Sequence, residues 1–135
     1  GNLSFSNIYA GITPVAMGRA AWGDIDNDGD LDLAITGKLA GCGVIVSEIF
    51  ENQGSDIFNS INSGLTDVEN SYLAWGDYDN DGKLDFVING VFFHNNGDDL
   101  FSSAELNVKI TDLAALSFAD IDNDGDLAKK RDGKI

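Results

Sequence analysis

The stretch Asp24-Ile25-Asp26-Asn27-Asp28-Gly29-Asp30-Leu31-Asp32 (loop one) decides how this chain is interpreted, because it occurs three times. It returns as Asp77-Tyr78-Asp79-Asn80-Asp81-Gly82-Lys83-Leu84-Asp85 (loop two) and as Asp120-Ile121-Asp122-Asn123-Asp124-Gly125-Asp126 (loop three). Each copy places acidic residues at alternating positions around a glycine, which lets the backbone bend sharply. The repeat therefore predicts three tight loops that each bring several carboxylates to one point.

Carboxylates crowded in this way repel one another at neutral pH unless a cation lies between them, and calcium takes about six to eight oxygen ligands. The sequence therefore predicts two to three bound calcium ions. The predicted ligands are Asp24, Asp26, Asp28, Asp30 and Asp32 in loop one; Asp77, Asp79, Asp81, Lys83 and Asp85 in loop two; and Asp120, Asp122, Asp124 and Asp126 in loop three. Among these, Asp30, Lys83 and Asp126 would contribute backbone carbonyls. Magnesium or manganese is a lesser alternative, and a solvated acidic turn without metal is the other.

The three loops are not equivalent, and they are not EF-hands. Loop three has Ala128 where the ninth-position aspartate belongs, so we expect it to be the weakest site. An EF-hand requires a bidentate glutamate at position twelve, whereas loops one and two have Ile35 and Ile88 there. The flanking segments also have the composition of strands rather than of helices.

The flanks of the loops repeat in the same register and predict four short strands in each unit. One strand leads into the loop through Ala20-Ala21-Trp22, one leaves it over 31–36, a third ends near Asn52 and a fourth contains Phe58. Asn89-Gly90 between apolar runs predicts a type I′ hairpin. The first unit is longer by an insertion in one hairpin, between Gly37 and Ile49 around Gly41-Cys42-Gly43, and insertions usually map to loops. Four strands per unit is typical of a propeller blade, with a β-solenoid or a small sandwich as alternatives.

Composition excludes several classes of function. A formal charge of −15, from 23 acidic and 8 basic residues, argues against binding nucleic acid or anionic membranes, which needs basic patches. With one cysteine, Cys42, no disulfide within the chain is possible. No apolar run approaches the length of a membrane span, and no secretory signal precedes the repeats.

The stretch 22–33, followed by Asn52, Gly54 and Phe58, resembles the FG-GAP/VCBS repeat. That repeat builds β-propellers like those of integrin α subunits and of many bacterial extracellular proteins. The resemblance implies an all-β fold, a partial β-propeller of about two to three four-stranded blades with a calcium loop between the first two strands of each. It also implies that residues 1–135 form a single repeat domain, a fragment or subunit of a larger propeller.

Two classes of function follow from the resemblance. The first is a non-catalytic module, extracellular or at the cell surface, in which calcium rigidifies the blades and surface loops such as 37–48 bind a protein or glycan. The second is a fragment of a carbohydrate-active enzyme, a lyase or hydrolase; a purely structural scaffold is a third possibility. The single histidine, His94, and the lack of a recognisable catalytic set favour the non-catalytic module.

The remaining singular residues have ordinary explanations. Trp22, Trp75 and Phe118 stand at one repeated position, which predicts packing between blades. His94 is predicted to be structural or exposed, and Cys42 has no base near it in sequence. Open blade edges at both ends, together with the basic tail 127–135 in place of an apolar strand, predict self-association of two or more copies or a tail that caps the edge.

Overall fold

The computed structural model describes residues 4, 6–61, 63–98 and 100–105. These residues form eight strands and no helix, which confirms the all-β prediction. The strands are β1 (Val15–Gly23), β2 (Asp32–Leu39), β3 (Ile45–Asn52), β4 (Phe58–Ile61), β5 (Leu73–Gly76), β6 (Asp85–Ile88), β7 (Val91–Asn95) and β8 (Phe101–Glu105). Loop three (Asp120, Asp122, Asp124 and Asp126), Phe118 and the tail 127–135 lie outside the described residues.

The strands form two antiparallel four-stranded sheets, each with its strands in sequence order. Sheet one contains β1 to β4 and sheet two contains β5 to β8. The predicted strand boundaries are largely confirmed, because β3 ends at Asn52 and β4 begins at Phe58. Asn89 and Gly90 join β6 to β7 with φ angles of 48° and 87°, which is the conformation that a type I′ turn requires.

The insertion in the first unit mainly lengthens a hairpin and does not form a loop over 37–48. The second strand of sheet one continues to Leu39 and the third begins at Ile45, so only the tip at 40–44 is a turn. Gly37 and Lys38 still pair with Val46 and Ile45 across this extension. The predicted insertion within one hairpin is therefore confirmed, whereas the expected surface loop over 37–48 was wrong, because the inserted residues extend the existing ladder of hydrogen bonds.

Sheet two packs one face against sheet one. Phe86, Ile88 and Phe93 of sheet two share a buried core with Ala34 and Ile49 of sheet one. The Trp75 indole fixes the contact, because its Nε1 donates a hydrogen bond to the Ala21 carbonyl at 3.2 Å and its ring lies 4.3 Å from that of Phe86.

Gly23 contributes to this close approach of the sheets. A Cβ atom there would lie 2.9 Å from the end of the Leu84 side chain and 3.0 Å from the Trp75 ring, so these side chains would have to shift. The packing predicted for Trp75 between repeats is therefore confirmed, and the small residue at the end of β1 is part of the reason.

The corresponding tryptophan of sheet one has a different environment. Trp22 is 55% exposed and contacts Phe58 edge-on at a centroid distance of 6.2 Å. Leu33, Ile35 and Phe50 form a second buried cluster on this side of the sheet. The packing between repeats predicted for Trp22 is therefore absent among the described residues.

None of the described segments is a helix with the length and apolar character needed to cross a membrane.

Candidate metal centre

Loops one and two occupy the same place in their sheets. Loop one connects β1 to β2, and loop two connects β5 to β6. In both loops the asparagine at position four and the glycine at position six have left-handed backbones, with φ angles of 61° and 96° in loop one and 59° and 87° in loop two. The glycine predicted to bend the backbone does so in both copies.

Side-chain carboxylates fold each loop back on itself by accepting backbone hydrogen bonds. The first aspartate accepts from the glycine at position six, at 3.1 Å in loop one (Gly29 to Asp24) and 2.9 Å in loop two (Gly82 to Asp77). The fifth-position aspartate accepts from the residue two positions later, at 2.8 Å and 2.9 Å. Aspartate suits these positions because its short side chain reaches nearby backbone N–H groups.

The ninth-position aspartate has a structural role that its sequence position did not reveal. Asp32 is fully buried and accepts hydrogen bonds from the backbone N–H groups of Ile25 and Asn52, both at 2.8 Å. Asp85 is also fully buried and accepts from Tyr78 and Asn95, both at 2.9 Å. Each carboxylate therefore ties its loop to the end of the third strand, whether or not it also binds a cation.

The asparagine that ends the third strand completes this clamp. In sheet one the Asn52 side chain donates to the Leu31 carbonyl and accepts from Gly54 N–H. In sheet two Asn95 makes the same two contacts with Leu84 and Gly97. The repeated Asn-x-Gly pattern was visible in the sequence, but its contact with the acidic loop depends on strand pairing.

Loop one gathers three of its four predicted side-chain ligands, since Asp30 was predicted to contribute only its carbonyl. Oxygens of Asp24, Asp26 and Asp32 lie within 4.8 Å of one another. The Asp28 and Asp30 side chains are not part of this cluster, and Asp28 accepts the Asp30 N–H instead. A carbonyl ligand from Asp30, as predicted, would not require its side chain.

One oxygen of the loop-one cluster lacks a hydrogen-bond donor. Asp24 Oδ1 is inaccessible to solvent and has no hydrogen-bond partner, which is costly for a carboxylate oxygen. Burial raises the pKa of Asp32, against the lowering effect of its backbone hydrogen bonds from Asn52 and Ile25, and the nearby charges of Asp26 and Asp28 raise it further. A cation among these groups would supply the missing partner and offset the repulsion, so the residues fit a calcium ion.

Loop two already contains a positive charge. Asp77, Asp79 and Asp81 have oxygens within 4.8 Å of one another, but the Lys83 ammonium lies 2.5 Å from Asp81 Oδ2. The hydrogen bond from this ammonium lowers the pKa of Asp81 and raises that of Lys83. The lysine thus partly neutralises the loop that would hold the second ion.

His94, on β7, lies beside loop two. This contact was not predicted from the sequence. The His94 Nδ1 lies 3.0 Å from Asp85 Oδ1 and 3.7 Å from Asp79 Oδ2, and these three atoms form a further cluster. When the two repeats are aligned, His94 corresponds to Glu51 of the first unit. That match was the available signal, because β7 returns beside the loop just as β3 does in sheet one.

A polar cleft of about 410 Å³ lies between the two repeats. Loop one contributes Asp26 and Asn27 to its wall, and loop two contributes Lys83. Asn27 also donates a hydrogen bond across to the Gly82 carbonyl at 2.7 Å, which connects the two loops directly. Glu51, Asp98 and Phe101 complete much of the remaining lining.

Comparisons with protein-family models, with curated proteins and with solved structures give no match to this chain.

Proposed function

We propose that this chain is a calcium-binding repeat module of the β-propeller type, in which each four-stranded sheet is one blade. The observation that carries the proposal is the buried oxygen of Asp24, which has no partner within a cluster of three carboxylates. Asp24, Asp26 and Asp32 would hold the ion in loop one, and calcium would supply charge neutralisation there.

Calcium in this position would fix the surface on which recognition takes place. Loops one and two border the cleft between the sheets and contact each other through Asn27 and Gly82. The cleft offers carboxylates, the Lys83 ammonium and the edge of an aromatic residue, Phe101. These groups suit a polar partner, a glycan or a protein segment, and the proposed role is non-catalytic recognition.

An extracellular or cell-surface location is part of this proposal. Modules that work outside cells bind calcium with dissociation constants of about 10⁻⁴ to 10⁻³ M. A partly exposed loop whose ligands come from one short segment suits that range. The FG-GAP/VCBS-like pattern, with Trp22 before the loop and Phe58 after it, supports the same interpretation.

Thermal unfolding in calcium and in chelator tests the proposal. Calcium at about 10 mM is expected to raise the unfolding midpoint by roughly 5–10 °C for each occupied site, by mass action on the folded state. Asp24→Asn should remove the share of the increase that belongs to loop one. Asp56→Asn is the matched control, because Asp56 is an exposed aspartate outside both loops. Equal midpoints with and without calcium in the wild-type chain would refute calcium binding.

A further inference from the structure

The cluster formed by Asp79, Asp85 and His94 differs in kind from the cluster in loop one, because it contains a nitrogen ligand. Asp85 Oδ1 lies 3.0 Å from His94 Nδ1, and Asp79 Oδ2 lies 3.7 Å from it. Zinc bonds to imidazole nitrogen and carboxylate oxygen are about 2.0–2.2 Å long, so ligand atoms on a zinc tetrahedron lie roughly 3.3–3.6 Å apart. The 3.0 Å contact is a hydrogen bond between His94 and Asp85, so a zinc ion would take the place of the shared proton, and the 3.7 Å spacing to Asp79 lies just above that range.

Two of the three groups are held in place by their surroundings. Asp85 is fully buried, and the backbone N–H groups of Tyr78 and Asn95 fix its two oxygens. The His94 ring stacks on Phe92 with an interplanar angle of 24°, and Phe92 in turn packs against Tyr78. Asp79, with 42% of its side chain exposed, is the group that can adjust to an ion.

Loop one provides the contrast that gives this cluster a chemical preference. Its register-matched residue is Glu51, so the first repeat presents only oxygen donors. Imidazole is a ligand for zinc, iron, nickel and copper, whereas calcium prefers oxygen ligands throughout. A single change of residue on the third strand therefore separates the two sites by the class of metal that they favour.

We propose that Asp79, Asp85 and His94 form a site for a divalent transition-metal ion of the zinc type, with water in the fourth position. The site shares Asp79 and Asp85 with the calcium ligands proposed for loop two, so the two metals compete there and not in loop one. This competition rests on the proposed function, whereas ligation by His94 does not.

The imidazole itself provides the test, because His94 is the only histidine in the chain. In the full chain carrying Cys42→Ser, which removes the only thiol, Zn²⁺ is added while the nitrogen-15 resonances of the ring are recorded. The Nδ1 resonance is expected to shift and to stop shifting at one equivalent of zinc. An Nδ1 resonance unchanged by stoichiometric zinc would overturn the site without requiring any further variant.

Reciprocal variants test whether His94 determines the preference. His94→Glu installs the residue of the first repeat and should weaken zinc binding by at least about tenfold, as loss of a group around a metal does. Glu51→His should create a second zinc site next to loop one. Zinc binding of unchanged affinity in folded His94→Glu protein would overturn the proposal.

Calcium competition separates this inference from the proposed function. Excess Ca²⁺ is expected to restore the zinc-free Nδ1 resonance of His94. If zinc shifts the resonance and saturating calcium leaves the apparent zinc affinity unchanged, the zinc site stands and the calcium site of loop two fails.

Discussion

Loops one and two share backbone features but differ in the charges around them. Both have left-handed residues at positions four and six, and both end in a buried aspartate that accepts two backbone hydrogen bonds. Loop one leaves one oxygen of Asp24 without a partner, and Glu51 stands at the position that matches His94 in register. In loop two, Lys83 pairs with Asp81 and His94 contacts Asp85. The comparison indicates that the aspartate, asparagine and glycine positions determine the loop shape, while other positions set the charge around it.

The same comparison extends to the faces of the sheets. Trp75 is partly buried against the core that the two sheets share, whereas its counterpart Trp22 is 55% exposed. Sheet one contacts its neighbour through the side bearing Ala34 and Ile49, and sheet two through the side bearing Phe86 and Phe93. We propose that a second copy of the chain covers the Trp22 side.

The largest difference that we predict between the two repeats is at these tryptophans. Trp75→Ala should lower the free energy of unfolding by about 3–5 kcal/mol, because it opens a cavity between the sheets. Trp22→Ala should cost about 1 kcal/mol or less in the dilute monomer, since the residue lies mostly in solvent. Urea unfolding of both variants measures the difference.

Light scattering across a concentration series provides the control for this pair. If copies associate through the Trp22 side, the wild-type mass should rise with concentration, and the Trp22→Ala mass should not. A monomeric mass for both proteins at every concentration would overturn the proposal that a second copy covers the Trp22 side.

The second prediction concerns the feature that the loops share. Asp32→Ala and Asp85→Ala should each lower the free energy of unfolding by about 2–5 kcal/mol, because each leaves two backbone N–H groups without their acceptor. Both costs should persist in chelator, since the clamp does not require a metal. A cost that vanished in chelator for either variant would show that metal binding, rather than the clamp, is the source of its stability.

The third prediction exchanges the residues at position seven. Lys83→Asp should tighten calcium binding by loop two a few-fold by removing the ammonium that neutralises Asp81, and Asp30→Lys should weaken loop one by a similar factor. Isothermal titration calorimetry of both variants measures the change. The calcium affinity is expected to rise in loop two and to fall in loop one. A change in the same direction in both loops would mean that the lysine does not cause the difference in calcium affinity between them.

The smallest predicted effect is the dependence of the metal-free protein on pH. The pKa of Asp32 is raised in the folded state by burial, so the folded chain binds this proton more tightly than the unfolded chain does. The buried charge of Asp32 lowers the free energy of unfolding at neutral pH. This cost should decrease as the pH falls towards the ordinary aspartate pKa of 3.8. The thermal unfolding midpoint of the metal-free protein should therefore rise modestly between these two pH limits, and Asp32→Asn should reduce that rise.

Much of the local structure was predictable from the residues alone. The strand order within each unit, the Asn89-Gly90 hairpin and the bend at Gly29 follow from backbone preferences that act over a few residues. The extension of β2 to Leu39 was not predictable in the same way, because the inserted segment is stabilised by pairing with β3. Strand pairing also brings His94 to Asp79 and Asp85, residues that lie in a separate part of the sequence.

The sequence by itself determined that this chain repeats an acidic loop between short strands, and which side chains each loop offers. Local hydrogen bonds that aspartate accepts from the backbone, together with the left-handed freedom of glycine, are sufficient to define those loops. Only the tertiary structure decided that Asp32 and Asp85 are buried clamps, that Trp75 is partly buried while Trp22 is exposed, and that His94 meets loop two. The physical reason is that burial and contact depend on which strands pair and which sheet faces meet.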